Sequence, residues 1–352
     1  GFISQEDNKS LSIYENIVGN FSKNDELLRV VKSEENIISF NREILEFYSY
    51  SLAKDIEHNI KINLSRQKRI FGVFSASLES FVLMLSSAKV RGHHCICFED
   101  LSSNSISKRI KIFKPDIVLC KEEFFLKTKD ALELSGLKNI FIKIVDLDEY
   151  FFYEDLEFEI ESKKYKFEDE LFTLFTSGST GQPKAIVHSA LNYFYYAKFT
   201  TEYYFGLNKN SIMFTATDAG WINGHTYAFY GPLALGSKTI ICEDLPRLSN
   251  PSFLLEIINK QKVTCFYTSV TLLRLLKSKA SEINNLQSYK ELSKSNLERI
   301  GSCGEPLANE VGKWAIQFLK PLNHTIVNTY FQTETGGIIV APKDGNNPTD
   351  YS

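Results

Sequence analysis

The sequence predicts an α/β protein built of two doubly wound lobes. Three observations carry this. Short apolar runs alternate with longer stretches whose apolar residues recur at helical spacing. The alternation has the βαβα rhythm of a parallel sheet flanked by helices. It is interrupted once, by the acidic and aromatic stretch Asp146 to Glu170, and then resumes.

In the first lobe, Arg69 to Phe74 reads as a buried strand, and Leu78, Phe81, Val82, Leu85 and Ala88 follow at helical spacing. A strand at His94 to Phe98, a helix at Ser105 to Phe113, a strand at Asp116 to Cys120, a helix at Phe124 to Leu134 and a strand at Asn139 to Val145 continue the rhythm. After the interruption come a strand at Leu171 to Thr176, a helix at Ala190 to Tyr204, and strands at Ser211 to Ala216 and Lys238 to Cys242. Pro251 to Lys260 reads as helix, its proline suited to a first turn. Val263 to Tyr267, Leu297 to Gly301 and Thr325 to Asn328 read as strands, with helices at Val270 to Lys279 and Glu310 to Leu319 between them. A last strand is expected at Ile338 to Ala341, before a polar tail. The expected division is therefore 1–160 for the first lobe and 161–352 for the second.

Composition limits the function classes. Of 352 residues, 43% are hydrophobic and 24% charged, enough for a large core under an ordinary surface. A net charge of −3 offers no general attraction to nucleic acid or to an anionic membrane. No apolar run reaches the roughly 18 residues of a membrane span. Six cysteines, Cys95, Cys97, Cys120, Cys242, Cys265 and Cys303, lie mostly in strand-like runs and are expected to be buried, reduced thiols of a cytoplasmic protein. The spacing of Cys95 and Cys97 after His93 and His94 is too tight for a zinc site.

The run Thr176-Ser177-Gly178-Ser179-Thr180-Gly181-Gln182-Pro183-Lys184 carries the most chemistry. It is expected between a strand and a helix. Its glycines allow close approach of backbone to a ligand, its hydroxyls and amides can donate to phosphate oxygens, and Lys184 adds a mobile charge. It is not a Walker A loop, because Pro183 precedes the lysine and Ala185 follows it. Three more segments stand out further along: Thr217-Asp218-Ala219-Gly220-Trp221-Ile222-Asn223-Gly224-His225, Gly301-Ser302-Cys303-Gly304-Glu305-Pro306, and Asn328-Thr329-Tyr330-Phe331-Gln332-Thr333-Glu334-Thr335-Gly336-Gly337.

In this order the four segments resemble the motifs of the adenylate-forming superfamily, which includes acyl-CoA synthetases, luciferases and nonribosomal-peptide adenylation domains. The chain resembles the acetyl-CoA synthetase branch most, over roughly Ile37 to Pro342, and only its large N-terminal domain. Ala185 departs from the family's usual glycine after the lysine. The resemblance implies binding of ATP or AMP through Thr176, Ser177, Gly178, Ser179, Thr180 and Gly181, the turn Gly304, Glu305 and Pro306, and Asn328, Thr329, Tyr330, Phe331 and Gln332. It implies catalytic roles for Lys184, Thr333 and Glu334, with Glu334 the magnesium ligand, and an acyl pocket of Trp221, Ile222, Asn223, Cys303 and Phe331. A hard carboxylate and substrate phosphates are what Mg²⁺ prefers.

The implied reaction is attack of a small carboxylic acid on the α-phosphorus of ATP, then acyl transfer to a thiol, by resemblance CoA. Loading of a carrier protein, or nucleotide binding without turnover, are the alternatives. The branch has arginines for CoA phosphates near the Cys120 region, whereas Lys121 to Ala131 holds lysines and no arginine. The family's ribose-binding aspartate, hinge and C-terminal lid domain with its lysine are expected to be absent from this chain, which is expected to be an incomplete fragment. No nucleic-acid or membrane partner is expected.

Overall fold

A computed structural model describes residues 10–60, 66–148, 160–177, 181–279 and 295–342. In chain order its regular elements begin with β1 (Ser10–Leu11), α1 (Ile13–Val18), β2 (Glu26–Val31), β3 (Ile37–Asn41) and α2 (Arg42–Asn59). Then come β4 (Arg69–Val73), α3 (Leu78–Val90), β5 (His93–Cys97), α4 (Ser103–Phe113), β6 (Ile117–Cys120), α5 (Phe125–Ser135) and β7 (Phe141–Ile144). They are followed by β8 (Tyr165–Lys166), β9 (Glu170–Ser177), β10 (Pro183–Ser189), α6 (Ala190–Phe205) and β11 (Ile212–Thr215). Next, α7 (Ile222–His225), a π-helical turn (Thr226–Tyr230) and α8 (Gly231–Ala234) run on without a break into β12 (Lys238–Cys242) after a short turn. The chain continues with α9 (Pro251–Lys260), β13 (Cys265–Ser269), α10 (Val270–Ser278), β14 (Arg299–Cys303), α11 (Asn309–Leu319) and β15 (Ile326–Asn328).

The chain forms two compact units. The first comprises Gly1–Asn24, Asn41–Tyr195 and Ala219–Trp221. Its sheet has the order β10-β9-β5-β4-β6-β7, parallel throughout except where β10 pairs antiparallel with β9 at the edge. Phe71, Val73, Cys95, Val118 and Cys120 meet Ile106, Ile110 and Ala131 of α4 and α5 in one core. Helix α3 is buried along almost its whole length and starts from a Ser77/Ser80 capping box.

The second unit comprises Asp25–Phe40, Tyr196–Asp218 and Ile222–Ser352. Its sheet has the order β15-β14-β13-β11-β12-β2-β3, and the pairs from β15 to β2 are parallel. One face packs Phe214, Ile240, Phe266 and Ile300 against Phe253, Leu254 and Ile258 of α9. The other holds an aromatic cluster of Phe205, Tyr227, Tyr267, Cys303 and Ile338.

The doubly wound α/β class stands as expected, but the division of the chain differs in two places. Residues Asp25–Phe40 belong to the second unit, where β2 pairs with β12. Strands β9 and β10 belong to the first, because β9 pairs with β5. The boundary is therefore not at 160. The described part of the acidic stretch stays inside the first unit: β8 pairs with β1, and the buried Tyr165 hydroxyl lies 2.7 Å from the Gly92 carbonyl. The expected strand at Ile338 to Ala341 is a single antiparallel bridge, Tyr330 to Val340. All six cysteines are free and buried. Among the described residues, no helix is long and apolar enough to cross a membrane.

Candidate functional site

The phosphate-type run opens a hairpin, not the strand-to-helix turn its sequence suggests. Ser177 pairs with Pro183 and Thr176 with Lys184 across β9 and β10. Exposed Val187 between buried Ile186 and His188 is the pattern of a strand with one face covered, and Lys184, on the same face as Ile186, is exposed at the strand's open end. Gly178, Ser179 and Thr180 lie outside the described residues. Gly181 has φ +75 with open space where a Cβ would stand, so its backbone conformation, not crowding, calls for glycine. Lys184 and Ser177 are exposed beside this turn, and Thr176 is partly so.

In the second unit the other candidate residues follow from strand direction. Strands β11, β13, β14 and β15 are parallel, with Thr215 beside Tyr267, Ser269 beside Cys303 and Ser302 beside Asn328. Each of the segments after Thr215, Ser269, Cys303 and Asn328 therefore leaves the same carboxyl edge of the sheet. Gly304, at φ +92, turns the chain at that edge with nothing within 4 Å of an added Cβ. Glu305 does not hang in solvent: the Thr271 hydroxyl donates to it at 2.6 Å and the Arg274 guanidinium at 2.7 Å. Arg274 also reaches the Pro306 carbonyl at 3.5 Å. Helix α10, started by the Ser269 side chain as its N-cap, thus fixes the turn.

The segment after β15 is tied down at every step. The Ser302 hydroxyl donates to Asn328 Oδ1 at 3.0 Å. Thr329 gives its hydroxyl proton to the Ser302 carbonyl, at 2.7 Å, and so accepts from the Tyr267 hydroxyl at 2.5 Å. Tyr330 is 58% exposed and is held by its backbone bridge to Val340, with the Gln332 amide 3.4 Å from its hydroxyl. Gln332 and Thr335 cap the 3₁₀ turn Thr333–Thr335, which Gly336 closes at φ +74. Glu334 stands exposed in that turn. Thr226 of the π-helical turn donates to the Gly336 carbonyl at 2.6 Å, and the Ile338 amide donates to the Tyr227 hydroxyl at 2.8 Å. Tyr196 donates to the Ile338 carbonyl at 2.6 Å.

Of the expected acyl-pocket residues, the second unit brings Asn223, Cys303 and Phe331 together. The Asn223 amide nitrogen is 3.5 Å from Cys303 Sγ, and Phe331 packs edge-on against Tyr227, ring centres 5.8 Å apart, in the cluster that holds Cys303. Ile222, buried beside Asn223 on α7, opens the same helix. Burial pushes the Cys303 thiol up to about 12, so it is a neutral S–H that donates to the Thr268 carbonyl at 3.5 Å. Trp221 differs. It belongs to the first unit, is 55% exposed, and packs edge-on against Phe98 at 5.3 Å. Gly220 lies so close to Phe98 that an added Cβ would come within 2.6 Å of the ring.

Sequence reasoning did not show how the groups that position this edge meet it. Thr271 and Arg274 are visible as a polar pair on one helix face, three residues apart. Tyr196, Thr226 and Tyr227 carry no signal separating them from ordinary core residues. Among the described residues no group of three or more acidic, His or Cys side chains gathers as a metal cage. A single exposed carboxylate at Glu334 fits Mg²⁺ held mainly by substrate phosphates.

Loops gathered at the carboxyl ends of parallel strands define an α/β protein of the kind that builds its ligand site there. The chain belongs to the AMP-binding enzyme family, whose model matches residues 59–352. It is 36% identical over 289 residues to acetyl-coenzyme A synthetase 1 of Saccharomyces cerevisiae, covering 76% of this chain and 40% of that protein. It is 31% identical over 291 residues to acetyl-coenzyme A synthetase of Xanthomonas campestris pv. campestris, covering 76% and 44%. The chain thus spans about two fifths of the length of these relatives. The crystal structure of Brucella canis acyl-CoA synthetase superposes with a TM-score of 0.80 at 21% identity, over 99% of this chain and 62% of that one, which establishes the fold.

Proposed function

We propose that this chain is the ATP- and acid-binding part of an acid–thiol ligase, which activates a small carboxylic acid as an acyl-adenylate with release of pyrophosphate and passes the acyl group to CoA. The observation that carries the reading is the shared carboxyl edge of β11, β13, β14 and β15, which three of the four expected segments, Thr217–His225, Gly301–Pro306 and Asn328–Gly337, all reach. The Gly304 turn, held through Glu305 by Arg274, and the exposed ring of Tyr330 offer backbone amides and an aromatic face for adenine. Lys184, exposed beside its hairpin turn, supplies positive charge to phosphate oxygens. Mg²⁺, when bound, neutralises phosphate charge, with Glu334 its carboxylate. The acid is already a nucleophile as its carboxylate, so the residues' work is positioning and charge stabilisation.

Phe331 closes the acyl end as a wall on Tyr227, which favours acids with one to a few more carbons than acetate over long chains. The test is carboxylate-dependent pyrophosphate exchange by the full-length protein across straight-chain acids from acetate to decanoate. A maximum at short chains supports the reading, and a maximum at eight or ten carbons overturns it. The acceptor has a second reading. Lys121 pairs with Glu99 and Lys127 donates to the Glu99 carbonyl at 2.8 Å, so two of the lysines that could meet CoA phosphates already have partners. Thioester formation with a phosphopantetheinyl carrier protein, and none with CoA, would favour carrier loading.

A further inference from the structure

Asn223 occupies a site where its own fold cannot satisfy it. It is 7% exposed, and one atom of its amide meets Cys303 Sγ at 3.5 Å. Its other amide atom, Oδ1, is buried with no hydrogen-bond partner. Exchanging amide N and O by rotation leaves the same count, with one atom on sulfur and one unmatched. Two hydroxyls of the neighbouring aromatic cluster are matched. On the same face of the sheet, the Tyr227 hydroxyl is matched by Thr200 and the Ile338 amide, and the Tyr267 hydroxyl by Thr329. Thr268 Oγ1 is also without a partner, but Thr268 follows Tyr267 on β13 and by alternation faces the opposite side. A buried amide atom left unmatched is costly, and a site that keeps one is built for something that arrives later.

We propose that Asn223 is a specificity-determining residue and that the acid this protein activates is a short hydroxy acid, its hydroxyl bound by the unmatched amide atom of Asn223. The inference rests on the adenylation reading of the site and deepens it. Cys303 beside the amide, in one cluster with Phe331, gives the site an apolar lining, which suits a short acid. A hydroxyl both donates and accepts, so it satisfies the amide in either orientation. An ammonium group would need an anionic partner, and neither the amide nor the neutral thiol is one.

The experiment compares isosteric pairs in pyrophosphate exchange by the full-length protein. 2-Hydroxypropionate is set against 2-methylpropionate, and 3-hydroxypropionate against butyrate, each pair differing by hydroxyl for methyl. Alanine and β-alanine form a third arm. One hydroxy acid is expected to exceed its methyl isostere by about ten- to a hundredfold in kcat/KM. Asn223→Leu, close in volume, is expected to bring that ratio to one or below. A methyl isostere that equals or exceeds its hydroxy acid in both pairs overturns the proposal, as does an amino acid that surpasses them. A hydroxyl preference that survives Asn223→Leu removes Asn223 from it. The pairs are read on the unaltered protein, so poor folding of the variant does not shield the proposal. Exchange with no acid of any kind would instead overturn the adenylation reading and this inference with it.

Discussion

At the residue scale, the turn Gly304-Glu305-Pro306 shows how backbone geometry and a single ion pair fix the chain at the carboxyl edge of a sheet. Gly304 is needed for its φ of +92, not for space. Gly304→Ala is therefore expected to destabilise the protein by about 1–2 kcal/mol, the cost of a side chain in left-handed backbone, and to weaken AMP binding by misdirecting the amides beyond it. Calorimetric titration with AMP alongside thermal melting measures both, and unchanged stability with unchanged affinity would refute the assignment. Glu305 is a held residue rather than a mobile one. Its bond to Arg274 is half-exposed and worth about 1 kcal/mol or less, so Arg274→Ala is expected to lower AMP affinity by no more than about fivefold. The sequence made Gly304 and Glu305 legible through the resemblance of Gly301–Pro306 to the family's adenine-binding turn. It could not show that the acid is neutralised from α10, because that contact is made between segments about thirty residues apart.

At the element scale, the hairpin of β9 and β10 is the main departure. The segment Pro183–Ser189 is a strand because Ile186 and Val187 sit in an alternating pattern and β9 offers an open edge. The helix expected at Ala190 starts there, so the unexpected element is the strand that fills the space between loop and helix. Lys184 is thereby carried on a stiff strand next to the turn, and Lys184→Met is expected to lower pyrophosphate exchange by about ten- to a hundredfold with little change in melting temperature. An equal loss of stability and activity would mean the lysine is structural. A second junction is pH-sensitive. Arg91, in left-handed backbone at the end of α3, bonds Asp169 through two nitrogens at 2.6 and 2.7 Å. Burial alone would raise the Asp169 carboxyl, but the hydrogen bonds from Arg91 and the Lys166 amide outweigh it and hold it below the ordinary 3.8. A carboxylate depressed in the fold adds stability that is complete above that ordinary value and is lost as pH falls through the lower folded one. Asp169→Asn is expected to flatten the dependence of stability on pH below about 4 and to lower stability at neutral pH by about 2 kcal/mol. An acid limb identical to the parent's would remove the junction from this role.

At the scale of the whole molecule, the two units each have their own sheet and their own core. Unfolding is accordingly expected in two calorimetric transitions rather than one. The Gly304 and Tyr330 segments lie in the second unit, so AMP at about a hundred times its Kd is expected to stabilise chiefly one transition, by about 2.7 kcal/mol. A substitution can mark which one. An added Cβ at Gly231 would stand 2.0 Å from Thr201 Oγ1 and 2.8 Å from the Thr226 carbonyl. Gly231→Ala is expected to lower the second unit's transition by several kcal/mol and to leave the other in place. A single transition with equal calorimetric and van't Hoff enthalpies would refute the two-unit view.

The sequence by itself determined the class of fold, most element types and the chemistry-bearing segments. Apolar periodicity is local, so Lys238–Cys242 and Pro251–Lys260 could be read to the residue, and the motif glycines Gly181, Gly304 and Gly336 mark turns. Tertiary structure decided which strands share a sheet, so β2 and β3 joined the second unit and β9 and β10 the first. It also decided that Trp221 packs on Phe98 while Ile222 and Asn223 begin the next unit, and that one amide atom of Asn223 is buried without a match. The physical reason is common to all of these. Strand pairing and side-chain satisfaction are set by partners distant in the chain, and neither leaves a periodic trace in the residues that will make them.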